Sequence, residues 1–464
     1  MSQAGPAQTD DGKHAGTGGV GTTDAPDLPM LSQTGPPSFT RSEIEDIQLL
    51  LPYLSYTGGR LAAHGTPLME VWDGRRPLLL YVPGRAVDNY RSIETAFGRH
   101  FDVSIRCAIK ACYVGGVLSA LRAIGAGVEV ASELEWRIAR RVGFPPHLTV
   151  VNGMCRPAAH LQRLVSEDGL LIDVDSEEEL EHIEWQAQHQ GVRPKIMVRV
   201  NPLAPDAFFS ERSKLGVGAD EAHRLLERVA QSPHLDLNGL HAHQLVRCTN
   251  PEQFALLAQR MGELRDEFTA TNGASFDTLD LGGGIEARYL LERAGHTIDD
   301  FADAARDALV GAGNLHLVLE PGRYVFGDAA LVLTGVMGTK RKSGHDWLIA
   351  EVGCNLLPPT SDRAYPALPL RLENEQTWKR WHVADPTPAP SRLCLDAMLP
   401  SGAVADGIAL IGCGAYTAVR ASLWSTDLPD IGILKGAGVE IVFDRAGQDA
   451  AFKALYGIDL VGAE

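Results

Sequence analysis

The residue with the clearest chemical potential is Lys110, which ends the run Val103-Ser-Ile-Arg-Cys-Ala-Ile109. Apolar residues alternate with others along this run, and a period of two predicts a β-strand. A lysine placed where a strand leaves its sheet can act as a nucleophile, because barrel active sites lie at the carboxyl ends of the strands. A surface lysine after a strand is common, so the rest of the chain has to decide between the two interpretations.

Two glycine-containing motifs follow later strand candidates, Leu281-Gly282-Gly283-Gly284-Ile285 and Glu320-Pro-Gly-Arg323. Glycines let backbone N–H groups approach a phosphate, and an arginine adds a charge-assisted pair. In a barrel, the loops after strands seven and eight most often form a phosphate site. A nucleophilic lysine, a phosphate cradle and a carboxylate at one mouth are what pyridoxal phosphate requires.

The elements that position these residues are predicted to form a (β/α)8 barrel. Helix-period stretches, such as 177–190, 220–231 and 251–269, separate eight strand candidates. The candidates end near Lys110, Ser132, Asn152, Asp175, Asn201, Gln244, Gly282 and Glu320. An open doubly wound sheet is the alternative, but it lacks its usual G-x-G-x-x-G after an early strand.

The pattern changes on both sides of this barrel, which predicts four regions. Residues 1–37 are rich in Gly, Thr, Pro, Asp and Ala and are expected to be a disordered tail without a signal or transit peptide. Residues 38–83, which open with a capping box at Ser42 and Glu45, are expected to pack on the last region. The barrel spans 84–325, and short strands between Pro- and Gly-rich turns predict a C-terminal antiparallel β-domain over 326–464.

Composition excludes several classes of protein. The net charge of −17 argues against nucleic acid or an anionic membrane as a partner. Without an apolar run of about 18 residues, we expect no membrane span. Seven cysteines without C-x-x-C spacing indicate reduced thiols, and therefore a cytoplasmic protein, rather than disulfides or a zinc site.

Several ordered motifs resemble the fold-type III pyridoxal-phosphate decarboxylases, the family of diaminopimelate, ornithine and arginine decarboxylases. The resemblance runs from about Phe39 to the C-terminus and implies the alanine racemase-like fold. The matching motifs are Ala108-Ile-Lys-Ala111, Gly125-Ala-Gly-Val-Glu-Val-Ala-Ser132, Ser213-Lys-Leu-Gly216, Gly239-Leu-His-Ala-His243, Leu279-Asp-Leu-Gly-Gly-Gly284, Glu320-Pro-Gly-Arg323 and Gly414-Ala-Tyr416.

The resemblance also implies a role for each motif residue. Lys110 would hold the cofactor covalently, and Glu320 would keep the pyridine nitrogen protonated, which favours decarboxylation over racemisation. Cys394 would protonate the product from the second domain of a partner subunit, so we expect a homodimer with active sites at its interface. The expected cofactor-binding residues are Lys110, Glu129, His243, Gly282, Gly283, Gly284, Glu320, Arg323 and Tyr416.

The substrate is the least determined part of this interpretation. Relatives carry Gly-Ser after the ring-stacking histidine and an acidic residue after the cysteine, where this chain has Gln244-Leu245 and Leu395. Pro358-Pro359 stands where diaminopimelate enzymes place an arginine. Expected substrate contacts are therefore Arg323, Arg363, Tyr365, Cys394, Asp396 and Tyr416.

We accordingly expect decarboxylation of an amino acid or an amino-acid conjugate, in siderophore, antibiotic or polyamine biosynthesis. A diaminopimelate decarboxylase, a racemase of the same fold and a non-catalytic binding protein are the alternatives. His241 and His243 share one strand face, so a metal pair is conceivable, but without a third ligand motif we expect no metal.

Overall fold

The structure, a computed structural model, describes residues 38–203, 214–311, 313–358, 365–373, 376–390 and 392–460. The tail 1–37, Ser213 and Arg363 therefore lie outside the described residues. No helix in the described ranges is long and apolar enough to cross a membrane.

The first described residues form a small sheet and then enter the two main units. The capping box is formed by Thr40 and Glu43, two residues before the predicted Ser42 and Glu45. The elements are α1 (Arg41–Glu45), a 3-10 turn (Ile47–Leu49), β1 (Leu54–Thr57), β2 (Arg60–Ala63), β3 (Thr66–Pro67), α2 (Leu68–Val71), β4 (Leu78–Tyr81) and α3 (Pro83–Gly98).

Eight parallel strands then close into the predicted barrel, each pairing with the next and the last with the first. The strands are β5 (Asp102–Ala108), β6 (Gly127–Val130), β7 (Thr149–Val151), β8 (Leu171–Val174), β9 (Lys195–Arg199), β10 (Asp236–His241), β11 (Thr278–Asp280) and β12 (His316–Leu319). Around and between them lie 3-10 turns at Ile109–Ala111 and Pro146–Leu148, and helices α4 (Gly115–Ala123), α5 (Glu133–Val142), α6 (Ala158–Ser166), α7 (Glu177–Gln190), α8 (Ala219–Gln231), α9 (Pro251–Asn272), α10 (Arg288–Arg293) and α11 (Ile298–Ala308).

An apolar layer inside the barrel supports the site above it. Val150, Met197 and Val318 are buried together within the barrel. Because side chains two residues apart on a strand face the same side, Asn152 and Glu320 continue the inward positions of Val150 and Val318. The strand register therefore places polar groups directly above an apolar floor.

The second unit consists of two sheets. The later elements are α12 (Arg323–Phe326), β13 (Ala330–Thr334), β14 (Val336–Lys342), β15 (His345–Ala350), β16 (Ala367–Pro369), β17 (Trp378–Ala384), β18 (Cys394–Pro400), α13 (Ala403–Asp406), β19 (Ile408–Ile411), a 3-10 turn (Ala418–Arg420), β20 (Asp430–Lys435), β21 (Gly438–Phe443) and α14 (Arg445–Tyr456). The six-stranded sheet has the order β16-β19-β13-β4-β20-β21, and the four-stranded sheet has the order β14-β15-β17-β18.

These sheets are mainly antiparallel, although the β15–β17 and β20–β4 pairs are parallel. The (β/α)8 barrel with a C-terminal β-domain is thus confirmed. Strand β4, which precedes the barrel in sequence, lies inside the six-stranded sheet. A buried ion pair between Arg85 of α3 and Asp328, with an N–O distance of 2.8 Å, ties the start of the barrel to the second unit.

Candidate active site

Lys110 lies just beyond β5 and contacts Glu129 of β6. Its Nζ is 2.7 Å from Glu129 Oε2, and its side chain keeps 31% of its exposure whereas Glu129 is fully buried. Burial favours the neutral amine, but the charges of Glu129 and Glu320 outweigh it and raise the pKa of Lys110. Burial also raises the pKa of Glu129 to about 7, against the opposing charge of Lys110. The predicted lysine therefore stands at the barrel mouth as half of an ion pair.

Glu320, directly after β12, is held by Asn152, directly after β7. Asn152 Nδ2 donates to both carboxylate oxygens, at 2.7 Å to Oε1 and 2.9 Å to Oε2. His241 Nε2 lies 3.6 Å from Oε2. Burial alone would raise the pKa of Glu320, but the charges of His241 and Lys110 lower it below its usual range. Glu320 therefore stays ionised at neutral pH.

Two further buried acids complete the network beneath Glu320. Asp173 Oδ2 lies 2.7 Å from His241 Nδ1. Although burial opposes a charge on His241, Asp173, Glu320 and Asp280 raise its pKa well above the usual range. Burial and the charge of Glu320 raise the pKa of Asp280 well above its usual value.

His243 faces the triple-glycine loop that follows β11. Gly283 N donates to His243 Nδ1 at 2.9 Å, which assigns the ring proton to Nε2. Burial and the charge of Lys110 lower the pKa of His243 to about 3, so the ring is neutral. Gly282 N donates to Asp280 Oδ1 at 2.8 Å. Two of the three loop N–H groups thus already have protein acceptors.

Arg323 and Tyr416 meet on the other side of this loop. The Arg323 guanidinium carbon lies 5.1 Å from the centre of the Tyr416 ring. Tyr416 has a φ of +59°, and its N–H donates to Ala111 O at 2.8 Å, beside Lys110. The second unit therefore contributes an aromatic side chain to the barrel mouth of the same chain.

The other predicted site residues belong to the second unit. Cys394 starts β18, and burial raises the pKa of its thiol to about 12. Tyr365 N donates to Leu393 O at 2.8 Å, next to Cys394. The Asp396 side chain is 55% exposed, with Oδ1 3.7 Å from His382 Nδ1. The roles expected for Cys394, Asp396 and Tyr365 stay predictions.

Several site residues were not singled out from the sequence for these roles. Asn152 bonds Glu320, Asp173 bonds His241, and Asp280 accepts a hydrogen bond from the glycine loop. Arg199 is one of the charges that lower the pKa of His243. All of them lie at or near strand ends. For Asn152 and Arg199, the available signal was a polar residue two positions after a buried apolar one. Within the described residues, one group could hold a metal: His241, Asp280 and Glu320, whose ligand atoms lie within 4.8 Å of one another. It includes only one of the two histidines considered from the sequence.

The residues at the mouth fit pyridoxal phosphate. Among the described residues, Glu129 Oε1 and Asn152 Oδ1 are buried without a hydrogen-bond partner, so polar groups await a ligand beside Lys110. A Cβ on Gly283 would meet the Glu320 carbonyl oxygen, and one on Gly322 would lie 3.0 Å from the Tyr416 hydroxyl. Glycine at these two positions therefore lets the two loops pack closely against the groups around Lys110.

Comparison with known proteins agrees with this geometry. Residues 84–327 match the family described as "Pyridoxal-dependent decarboxylase, pyridoxal binding domain". Diaminopimelate decarboxylases from Aquifex aeolicus and Methanothermobacter thermautotrophicus are 27% and 29% identical, over 79% and 83% of this chain and 88% and 93% of their own lengths.

A solved diaminopimelate decarboxylase from M. jannaschii, in co-complex with L-lysine, superposes with a TM-score of 0.76 at 21% identity, covering 86% of this chain and 97% of its own. That likeness shows the shared fold. The family match covers the barrel and every barrel residue described above. This chain belongs to the pyridoxal-dependent decarboxylases and is a pyridoxal-phosphate-dependent amino-acid carboxy-lyase.

Proposed function

We propose that the chain decarboxylates a diaminodicarboxylic acid of the diaminopimelate type. The observation that carries this proposal is the match to curated diaminopimelate decarboxylases over most of both chains, up to 93% of a relative's length. The relatives support this substrate better than the conjugate expected from the sequence.

Each residue at the barrel mouth is assigned a separate role toward the cofactor. The bound cofactor supplies an electron-withdrawing ring that stabilises the negative charge left when carbon dioxide departs. Lys110 would hold the cofactor and, when displaced from it, would pair with Glu129. The ionised Glu320 would accept a hydrogen bond from the ring nitrogen, Arg323 would bind the phosphate, and neutral His243 would pack against the ring.

Protonation of the product is assigned to Cys394 of a second copy. Because burial raises the pKa of this thiol to about 12, the group keeps its proton at neutral pH, as an acid must. Cys394 belongs to the second unit rather than to the barrel, which fits a homodimer with shared active sites. Since the seven cysteines are scattered without C-x-x-C spacing, as is usual for reduced thiols, we also infer that the protein acts in the cytosol.

A carboxylate-bearing amino-acid conjugate is the second candidate substrate. The observation in its favour is that Pro358 and Leu395 stand where the diaminopimelate enzymes carry arginine and glutamate. A pocket without these groups should hold a distal ammonium and carboxylate less well.

The test is release of carbon dioxide from meso-diaminopimelate, L-lysine, L-ornithine, L-arginine, carboxynorspermidine and a citrate-conjugated diaminopropionate. We expect release from meso-diaminopimelate by the wild type and by Lys195→Ala, an exposed lysine at the opposite end of a barrel strand, and none by Lys110→Ala. Release from another compound alone would contradict the proposal that the substrate is of the diaminopimelate type. Loss of optical rotation without carbon dioxide would indicate a racemase and overturn the reaction.

A further inference from the structure

The way in which Glu320 is held has a consequence for cofactor binding. Its carboxylate is buried, and three groups attract it: Asn152, His241 and Lys110. The charge of Lys110 also lowers the pKa of Glu320. A carboxylate paired with Lys110 would be less available to a cofactor ring. Its position among these groups therefore has to be fixed.

Asn152 has the geometry for this task. A single nitrogen, Nδ2, lies 2.7 and 2.9 Å from the two oxygens of Glu320, so a displacement of the carboxylate towards Lys110 would lengthen both bonds. Hydrogen bonds to a charged acceptor are stronger than those between neutral groups. The clamp joins two barrel strands that are 168 residues apart in sequence.

The backbone of Asn152 is itself fixed. Its N–H donates to Val130 O at 2.8 Å on the neighbouring strand. The next residue, Gly153, has a φ of +104°, and a Cβ there would lie 2.6 Å from Ala131 O. Arg156 Nη2 donates to Val151 O and Asp173 O, at 3.0 and 2.9 Å. The amide is therefore presented from a rigid strand end rather than from a flexible loop.

We propose that Asn152 is a positioning residue, which clamps the Glu320 carboxylate and thereby sets how strongly the site binds the ring nitrogen of the cofactor. Asn152 acts through Glu320 and is not assigned a contact with the reacting atoms. This inference rests on the proposed pairing of Glu320 with the ring nitrogen, but not on the substrate.

A cofactor analogue separates positioning from general support of the fold. We would titrate the apoprotein with pyridoxal phosphate and with its 1-deaza analogue, in which carbon replaces the ring nitrogen, and follow both by absorbance. A structural role would weaken both ligands equally. The positioning role predicts that Asn152→Ala loses about tenfold more affinity for pyridoxal phosphate than for the analogue.

Three further variants keep the test decisive. Asn152→Ser, which retains one donor, should show an intermediate difference and serves if the alanine variant does not fold. Asn201→Ala, whose amide bonds Leu215 and Gly216 carbonyls, should affect both ligands alike. Glu320→Gln should show the largest difference between them.

The outcomes distinguish two failures. Suppose that both Asn152 variants lose the same affinity for the two ligands, or none, while Glu320→Gln loses more for pyridoxal phosphate than for the analogue. That result would overturn the role of Asn152 alone. Equal losses for Glu320→Gln as well would overturn the pairing of Glu320 with the ring nitrogen.

Discussion

The ion pair between Lys110 and Glu129 controls when the lysine can react, because only the neutral amine attacks an aldehyde. Glu129 and Glu320 raise the pKa of Lys110 and keep it protonated at neutral pH. Replacing Glu129 by glutamine removes one of these charges but leaves the burial, which lowers the pKa. The Glu129→Gln apoprotein should therefore capture pyridoxal phosphate with a pH midpoint lower than the wild type by about one unit or more.

Stopped-flow absorbance between pH 7 and about 11 compares the two profiles: capture by the variant should rise at a lower pH than capture by the wild type, whose midpoint lies above the ordinary lysine pKa. Glu133→Gln is the matched control, because Glu133 lies on the following helix and pairs with Arg163, away from Lys110. Its profile should coincide with that of the wild type. A midpoint for Glu129→Gln that is unchanged or higher would contradict the account of the ion pair.

Individual site residues differ in how far the sequence reveals them. Lys110, Glu129, His243 and Glu320 each stand at or beside a strand end within a motif, so their shared location at the barrel mouth could be predicted. The partnership of Asn152 with Glu320 could not, because it arises only when the barrel closes and joins β7 to the far side of the sheet. The raised pKa of Asp280 likewise depends on its burial beside Glu320.

The triple-glycine loop is the element whose shape matters most for the cofactor. At Gly283 the backbone is not in the left-handed region, so alanine would add no backbone strain, but its Cβ would meet the Glu320 carbonyl oxygen and lie 3.3 Å from the His243 ring. Such overpacking costs about 1–3 kcal/mol. Gly283→Ala should therefore weaken binding of pyridoxal phosphate by about tenfold or more.

Titration of the apoprotein measures this loss, and urea unfolding measures the change in stability. Gly338→Ala is the control, because a Cβ at this strand position in the second unit has no heavy atom within 4 Å. Equal cofactor affinity in Gly283→Ala and the wild type would show that the loop can move aside, contrary to the tight cradle described above.

The sequence predicts the barrel strands more accurately than the elements on either side of them. The barrel strands are buried runs bounded by turns, and all eight were located from the sequence. Strands β17 and β18 are harder to locate from the sequence, because one begins with Trp378-Lys-Arg380 and the other contains Asp396, so neither shows a clean apolar alternation. The first helix was displaced by two residues because Ser42 and Glu45 match the same capping pattern as Thr40 and Glu43.

At the scale of the whole molecule, chain order and spatial order differ. Strand β4 precedes the barrel but pairs with β13 and β20, so the second unit is completed by residues from both ends of the described chain. The ion pair between Arg85 and Asp328 stabilises this arrangement next to α12, the helix that begins at Arg323. The periodicity of the sequence predicts separate elements well. It does not predict pairings between distant segments, such as that of β4 with β13 and β20, because these depend on contacts between residues far apart in the chain.

The central claim is that Lys110 is the residue that binds the cofactor at the mouth of the barrel. The most direct test is to reduce the loaded protein with borohydride, which fixes a lysine-bound cofactor, and to map the modified peptide by mass spectrometry. We predict a pyridoxyl group on Lys110 in the wild type and in Lys195→Ala, and none in Lys110→Ala. Modification of a different lysine in the wild type, or full modification of Lys110→Ala, would contradict the account.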